Sequence, residues 1–248
     1  MNKKKAIAET LMDAGRTLQR SLAKIDYSEV TEWVYDPFDY AWDPYCEYLT
    51  RFARTPIKRV FMGMNPGPWG MAQTGIPFGE VAAVRDWLKI ASTTKKPVRE
   101  HPKRPIEGLA CKRSEVSGQR LWGLFSSRYK TPENFFAEHF VINYCPLAFM
   151  DSGARNLTPD KFPVSIRGPL EEACDHHLIS VLEAIQPACF IGVGGFAENC
   201  GKRCIAAMDL KRPPKQMRIL HPSPASPAAN RDWAGQVTKS LIDAGQWS

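Results

Sequence analysis

The 248-residue sequence has no long hydrophobic run: its uncharged apolar stretches fall well short of the ~20 residues a membrane helix needs, which excludes a spanning protein. It also lacks close cysteine pairs. Cys46, Cys111, Cys145, Cys174, Cys189, Cys200 and Cys204 are scattered and odd in number, and none forms CxxC. Only Cys200 and Cys204, four apart on one helical face, have a metal-like interval. Zinc and cluster sites draw on two close pairs or a recognisable run, so neither metal nor cofactor is expected. Reduced thiols of an intracellular protein are the expectation. Nor does the opening read as a secretory signal. The Met1–Lys5 opening is basic, but Glu9 and Asp13 break the apolar stretch that would have to follow. Residues 1–30 read instead as an amphipathic helical extension packed on the rest. Without a repeat or a linker-like composition shift, residues 1–248 read as one domain. The absence of any coiled-coil or long edge-strand signal makes a monomer the expectation.

Charge is the one imbalance. Lys and Arg number 33 against 26 Asp and Glu, a formal +7, which is a prior for an anionic partner although it also accompanies plain solubility. With 44% hydrophobic and 24% charged residues, wholesale disorder is excluded.

Four short apolar runs end in turn chemistry: Arg59–Met64 before Asn-Pro-Gly-Pro, His139–Tyr144 before Cys-Pro, Ala188–Val193 before Gly-Gly, and Gln216–Leu220 before His-Pro-Ser-Pro. Each is bounded like a buried strand. Helical periods occupy Val81–Ser92, Gly168–Ile185, Phe196–Met208 and Ala228–Ala244. Strands alternating with helices predict an α/β fold, with a mostly parallel sheet covered on both faces. In such sheets ligands bind at the carboxyl ends of the strands, which would gather Asn65, Asn143 and His221 on one rim.

The loop from Gly63 to Gly79 holds five glycines, three prolines and no ionisable side chain. Glycines let backbone approach a ligand and prolines stiffen a loop. Composition alone leaves it either a tight surface loop or a cradle for a neutral, flat ligand, and it lacks the Lys-Ser/Thr ending of a phosphate-binding P-loop. The pocket is therefore expected to be almost uncharged. His221, in the proline-stiffened segment 221–227, is either structural or catalytic, and its position at a strand end favours function. Asn143 alone would read as a loop-capping amide, and Phe78 alone as a core aromatic.

Together, GMNPGPWGMAQTGIPFGEV (63–81), SEVSGQRLWG (114–123), NYCPLAFM (143–150) and HPSPASPAANRDW (221–233) resemble the single-strand-selective monofunctional uracil-DNA glycosylases, of the uracil-DNA glycosylase superfamily. The likeness runs from about Tyr35 to near the C-terminus. It implies a three-layer α/β/α sandwich around a central four-stranded sheet. It also implies a base-excision-repair hydrolase that extrudes a nucleotide and removes uracil or a 5-substituted uracil, such as 5-hydroxymethyluracil, to leave an abasic site. Phe78 would stack on the base and Asn143 would read it. Gly63, Met64, Gly67 and Met71 would line the base pocket, with Gly67 beside the C5 edge. His221 would stabilise charge at uracil O2, and Asn65 would position the water. An amide is a poor general base, and no acid lies between Gly63 and Gly79, so the resemblance implies catalysis by leaving-group stabilisation.

The partner implied is DNA, single- or double-stranded, containing uracil or modified uracil. Lys95, Lys96 and Arg99 belong to a stretch (95–104) with five basic residues and one acid; by default a solvated loop, it becomes a phosphate track beside a base-flipping site. Pro222, Ser223, Pro224 and Ala225 match the wedge that fills the vacated stack. Vertebrate members carry arginine where Ala225 stands. The alternatives are a glycosylase acting mainly on xanthine or hypoxanthine, and a non-catalytic binder of damaged or single-stranded DNA. The compartment expected is the cytoplasm of a bacterium or the nucleus of a eukaryote.

Overall fold

In the computed structural model, which describes residues 3–248, the chain alternates helices and strands. Met1 and Asn2, at the start of the basic opening, lie outside the described residues. The strands are β1 Trp33–Tyr35, β2 Ile57–Gly63, β3 His139–Asn143, β4 Ala148–Met150, β5 Asn156–Leu157, β6 Pro187–Val193 and β7 Lys215–Ile219. The α-helices are α1 Lys3–Leu22, α2 Pro37–Tyr40, α3 Trp42–Phe52, α4 Met71–Thr74, α5 Val116–Tyr129, α6 Pro132–Phe136, α7 Val164–Ile185, α8 Gly195–Ala207 and α9 Pro227–Asp243.

Four strands form one wholly parallel sheet in the order β3-β2-β6-β7. These are the four apolar runs, displaced by one or two residues at their ends. Successive residues of β2 point to opposite faces, yet Val60, Phe61 and Met62 are all fully buried, so helices cover both sides. Because β3 lies on one flank of β2 and β6 on the other, the chain reverses direction across β2. A crevice opens where the connections diverge, at the carboxyl ends of β2 and β3. There the register sets Gly63 directly beside Asn143.

The opening helix buries Ala8, Leu11, Leu18 and Leu22 on one stripe against α3 and α7. Each buried leucine contributes about 2 kcal/mol of transfer free energy. Gly15 keeps that stripe close to α3, since a Cβ there would sit 3.3 Å from the Trp42 ring.

Two elements differ from the sequence pattern. The helical period over 81–92 becomes a wide π-helical turn, Ala83–Leu88, that stops with Lys89 in the left-handed region (φ 56°). Glu47 accepts from the backbone N–H groups of Ala91 and Ser92 and so pulls the chain out of the helix. The long α7 begins at Val164 rather than Gly168 and carries Pro169 one turn in, where a single ladder bond is lost. A second, antiparallel sheet, β1-β4-β5, follows from strands too short to show a period.

Among the described residues no helix is long and apolar enough to cross a membrane, and no three His, Cys, Asp or Glu side chains are arranged to hold a metal ion. Cys200 and Cys204 are buried thiols on the inner face of α8, and burial pushes Cys200 up to about 12.

Candidate active site

A cavity of about 370 Å³ occupies the crevice at the ends of β2 and β3. A larger hollow between α1 and α7 holds none of the candidate catalytic, base-binding or DNA-binding residues. The smaller cavity is lined by Met64, Asn65, Gly67, Met71, Phe78, Asn143, His221, Ser223 and Pro224, among others. Gly63 lies directly behind this wall. A Cβ on it would fall 2.5 Å from the Phe78 ring and 2.6 Å from Asn143 Oδ1, so glycine is what lets ring and amide face one space.

Phe78 is buried with φ 54°, a left-handed backbone that a bulky residue adopts only when its surroundings enforce it. Part of the enforcement comes from Gly118 of α5, where a Cβ would meet the Phe78 carbonyl at 2.2 Å. Asn143 donates through Nδ2 to Met71 Sδ at 3.2 Å, while its buried Oδ1 has no partner. An orphaned buried acceptor is costly, about 1–3 kcal/mol, and marks a place where a donor belongs. Asn65 donates to the Leu147 carbonyl at 3.4 Å, which leaves its own oxygen to accept.

His221 packs against Gly194, whose positive φ (91°) and missing side chain admit the ring: a Cβ there would lie 3.2 Å from His221 Cβ. Burial pushes the imidazole below its ordinary pKa, so the ring is neutral at pH 7. The backbone N–H of Ser223 donates to its Nδ1 at 3.1 Å. The proton therefore resides on Nε2.

Curated relatives match over nearly the whole chain. A "Single-strand selective monofunctional uracil-DNA glycosylase" of Rattus norvegicus is 42% identical over 97% of this chain and 86% of its own length. The Bos taurus protein of that name is 41% identical over 97% of this chain and 88% of its own. This chain belongs to the single-strand selective monofunctional uracil-DNA glycosylases. The crystal structure of wild-type Pedobacter heparinus SMUG2 shares the fold, with a TM-score of 0.64 over 96% of this chain and 97% of that one at 12% identity. No protein-family model matches the chain.

In this family member the pocket is not the uncharged cradle expected from the loop. Glu115, immediately before α5, lines the cavity and accepts from the Trp69 backbone N–H at 3.2 Å. A Cβ on Gly67 would lie 2.2 Å from its carboxylate, and one on Gly70 2.8 Å. Burial raises this carboxyl to about 7, against the pull of hydrogen bonds from Trp69 and Gly70. The acid comes from outside the segment Gly63–Gly79, so the composition of that loop could not reveal it. Arg120, one turn into α5, is a second unforeseen residue. It donates to the carbonyls of Pro222 (3.1 Å) and Ser223 (3.4 Å) and to Asn230 Oδ1 (2.8 Å), hanging the His221 loop from α5.

The basic stretch divides. Lys96 is paired with Glu100, while Arg99 is paired with Glu32 and lies over the Trp33 ring at 4.2 Å. The Lys95 backbone N–H is tied to the Tyr40 carbonyl. Nearer the cavity, Arg104 and Arg113 lie 4.8 and 5.2 Å from the ring centroid of Trp69, and neither forms an ion pair among the described residues. Ala225 is exposed at the loop tip, its N–H on Ser223 Oγ.

Proposed function

We propose that the chain hydrolyses the N-glycosidic bond of uracil in DNA, leaving an abasic site, and that it works as one monomeric domain. The observation that carries this reading is the orphaned Asn143 Oδ1, buried opposite Phe78 in a cavity that also holds Asn65 and the Nε2–H tautomer of His221. Uracil presents a donor at N3 and an acceptor at O4. Asn143 can accept from the first through Oδ1 and give its amide N–H to the second, exchanging a weak sulfur acceptor for an oxygen. Cytosine reverses both polarities and would leave buried groups unpaired, a penalty on the order of several kcal/mol.

When the C1′–N1 bond breaks, its electron pair leaves with the base and charge collects at O2. A neutral His221 donates Nε2–H to that oxygen without surrendering its proton, as preorganised oxyanion donors do. Asn65 accepts from a water and holds it beneath C1′, where it adds as the sugar becomes oxocarbenium-like. Among the described residues lining the cavity none is a lysine, so no amine is placed to open the sugar, and the reaction stops at hydrolysis. The flexible Met71 supports tolerance of 5-substituted uracils, whereas the missing side chain of Gly67 makes room for the Glu115 carboxylate. Arg104 and Arg113, with the 222–225 loop, face the DNA backbone, in single- or double-stranded substrates. The chain would act on genomic DNA in a bacterial cytoplasm or a eukaryotic nucleus.

Oligonucleotides carrying uracil, 5-hydroxymethyluracil or xanthine, single- and double-stranded, test the reading. Alkali-labile breaks should appear at uracil, and Asn143→Ala should abolish the preference for uracil over cytosine. Cleavage of xanthine alone, or of no base, would overturn it.

A further inference from the structure

Glu115 has no part in the steps above, yet the pocket is built around it. It occupies the N-cap position of α5 but makes no capping bond; its side chain turns instead beneath the 66–70 turn. Both glycines of that turn, Gly67 and Gly70, face the carboxylate at distances no side chain could share. The turn and the acid are therefore complementary, with two backbone N–H groups, from Trp69 and Gly70, directed at one carboxylate.

We propose that Glu115 is a positioning residue whose ionised carboxylate holds the Gly67–Gly70 turn, and with it Asn65 and the Trp69 lip, in the conformation that turns over substrate. The inference rests on the glycosylase reading of this cavity. A carboxylate accepts two N–H donors strongly, whereas a carboxylic acid brings a proton of its own into a space already lined with donors. The groups facing Glu115 are few. Glu80 adds a like charge, His221 lines the far wall as a neutral ring, Arg104 and Arg113 lie across the Trp69 ring, and Arg120 is spent on the His221 loop. Burial dominates and brings the titration to about 7. The His221 ring is neutralised below its ordinary value, so as pH rises its deprotonation precedes that of Glu115.

The test is a single-turnover pH profile on a single-stranded uracil oligonucleotide, read beside the fluorescence of Trp69, isolated by difference from Trp69→Phe. For the wild type the rate should rise about tenfold from roughly pH 6 to 8, as one ionisation near 7 requires. Glu115→Gln should lose that limb and run at a flat, roughly tenfold lower rate with little change in KM; Glu115→Asp should keep a limb at a shifted midpoint. Trp69 fluorescence should titrate with the same midpoint in the wild type and not in Glu115→Gln. Should Glu115→Gln fail to fold, Gly67→Ala displaces the same carboxylate from the other side and should also erase the limb. A wild-type profile flat through neutrality, or a limb that survives Glu115→Gln, overturns the inference while leaving the function intact. A fluorescence titration without cleavage of any base would sustain the placement of Glu115 and overturn the glycosylase reading instead.

Discussion

A buried and a half-buried histidine sit at opposite ends of the sheet and hold their protons on opposite nitrogens. At the amino end of β3, His139 gives Nδ1–H to the Phe135 carbonyl at 2.9 Å, and its Nε2 accepts from the Trp247 indole at 3.3 Å. It stacks on Phe135, with ring centroids 4.9 Å apart and planes within 11°. At the carboxyl end, His221 receives a backbone N–H at Nδ1 and presents Nε2–H to a cavity. Burial lowers the pKa of both, that of His139 to about 4. What separates them is satisfaction: every polar atom of the structural ring is used, whereas the pocket ring keeps one donor free. The same holds for Asn143, which ends the strand that His139 begins and keeps an acceptor unused.

The comparison can be broken most sharply at His221. His221→Ala should lower the single-turnover rate on the order of 10²–10³-fold, the loss typical of one removed oxyanion donor, with little change in Tm. His139→Ala should do the reverse, costing about 3 kcal/mol in denaturant unfolding through a cavity and stranded partners, with turnover per folded molecule preserved. A fall in the intrinsic rate of His139→Ala would erase the distinction.

Acid sharpens it next. The folded pKa of His139 is depressed below its unfolded value near 6.5, so its contribution is complete above that pH and lost as pH falls toward 4. His177, buried in α7 and also lowered to about 4, adds in the same direction. Urea unfolding followed across this window should show stability falling by roughly 3 kcal/mol per histidine. The smallest effect belongs to the loop tip. Ala225→Arg should retain abasic product a few-fold longer, about 1 kcal/mol, in a gel-shift assay, because a cation adds phosphate contact that alanine lacks.

The sheet was legible in the sequence because β2, β3 and β6 are apolar runs closed by Gly or Asn, and the edge strand β7 runs into the proline-rich segment at Pro222; such runs show their ends within a residue or two. Asn65, Asn143 and His221 could be gathered on one rim because parallel strands place all carboxyl ends together. Strands of two or three residues, such as Asn156–Leu157, carry too little pattern to be seen. Partners remote in sequence were equally hidden. Glu32 neutralises Arg99, Glu47 unwinds the helix predicted over 81–92, and Glu115 enters a pocket whose own loop has no charge. In each case the missing information was which carboxylate meets which partner remote in sequence.

Three walls of the cavity hang from one rod. α5 supports Phe78 through Gly118, suspends the His221 loop through Arg120, and begins beside the acid beneath the Gly67 turn. Phe78, the His221 loop and the Gly67 turn thus share one support where separate elements would have given three. On the reading proposed above, a displacement of the 222–225 loop by DNA would be carried to the Phe78 wall through the same helix, because Arg120 and Gly118 belong to one rigid element.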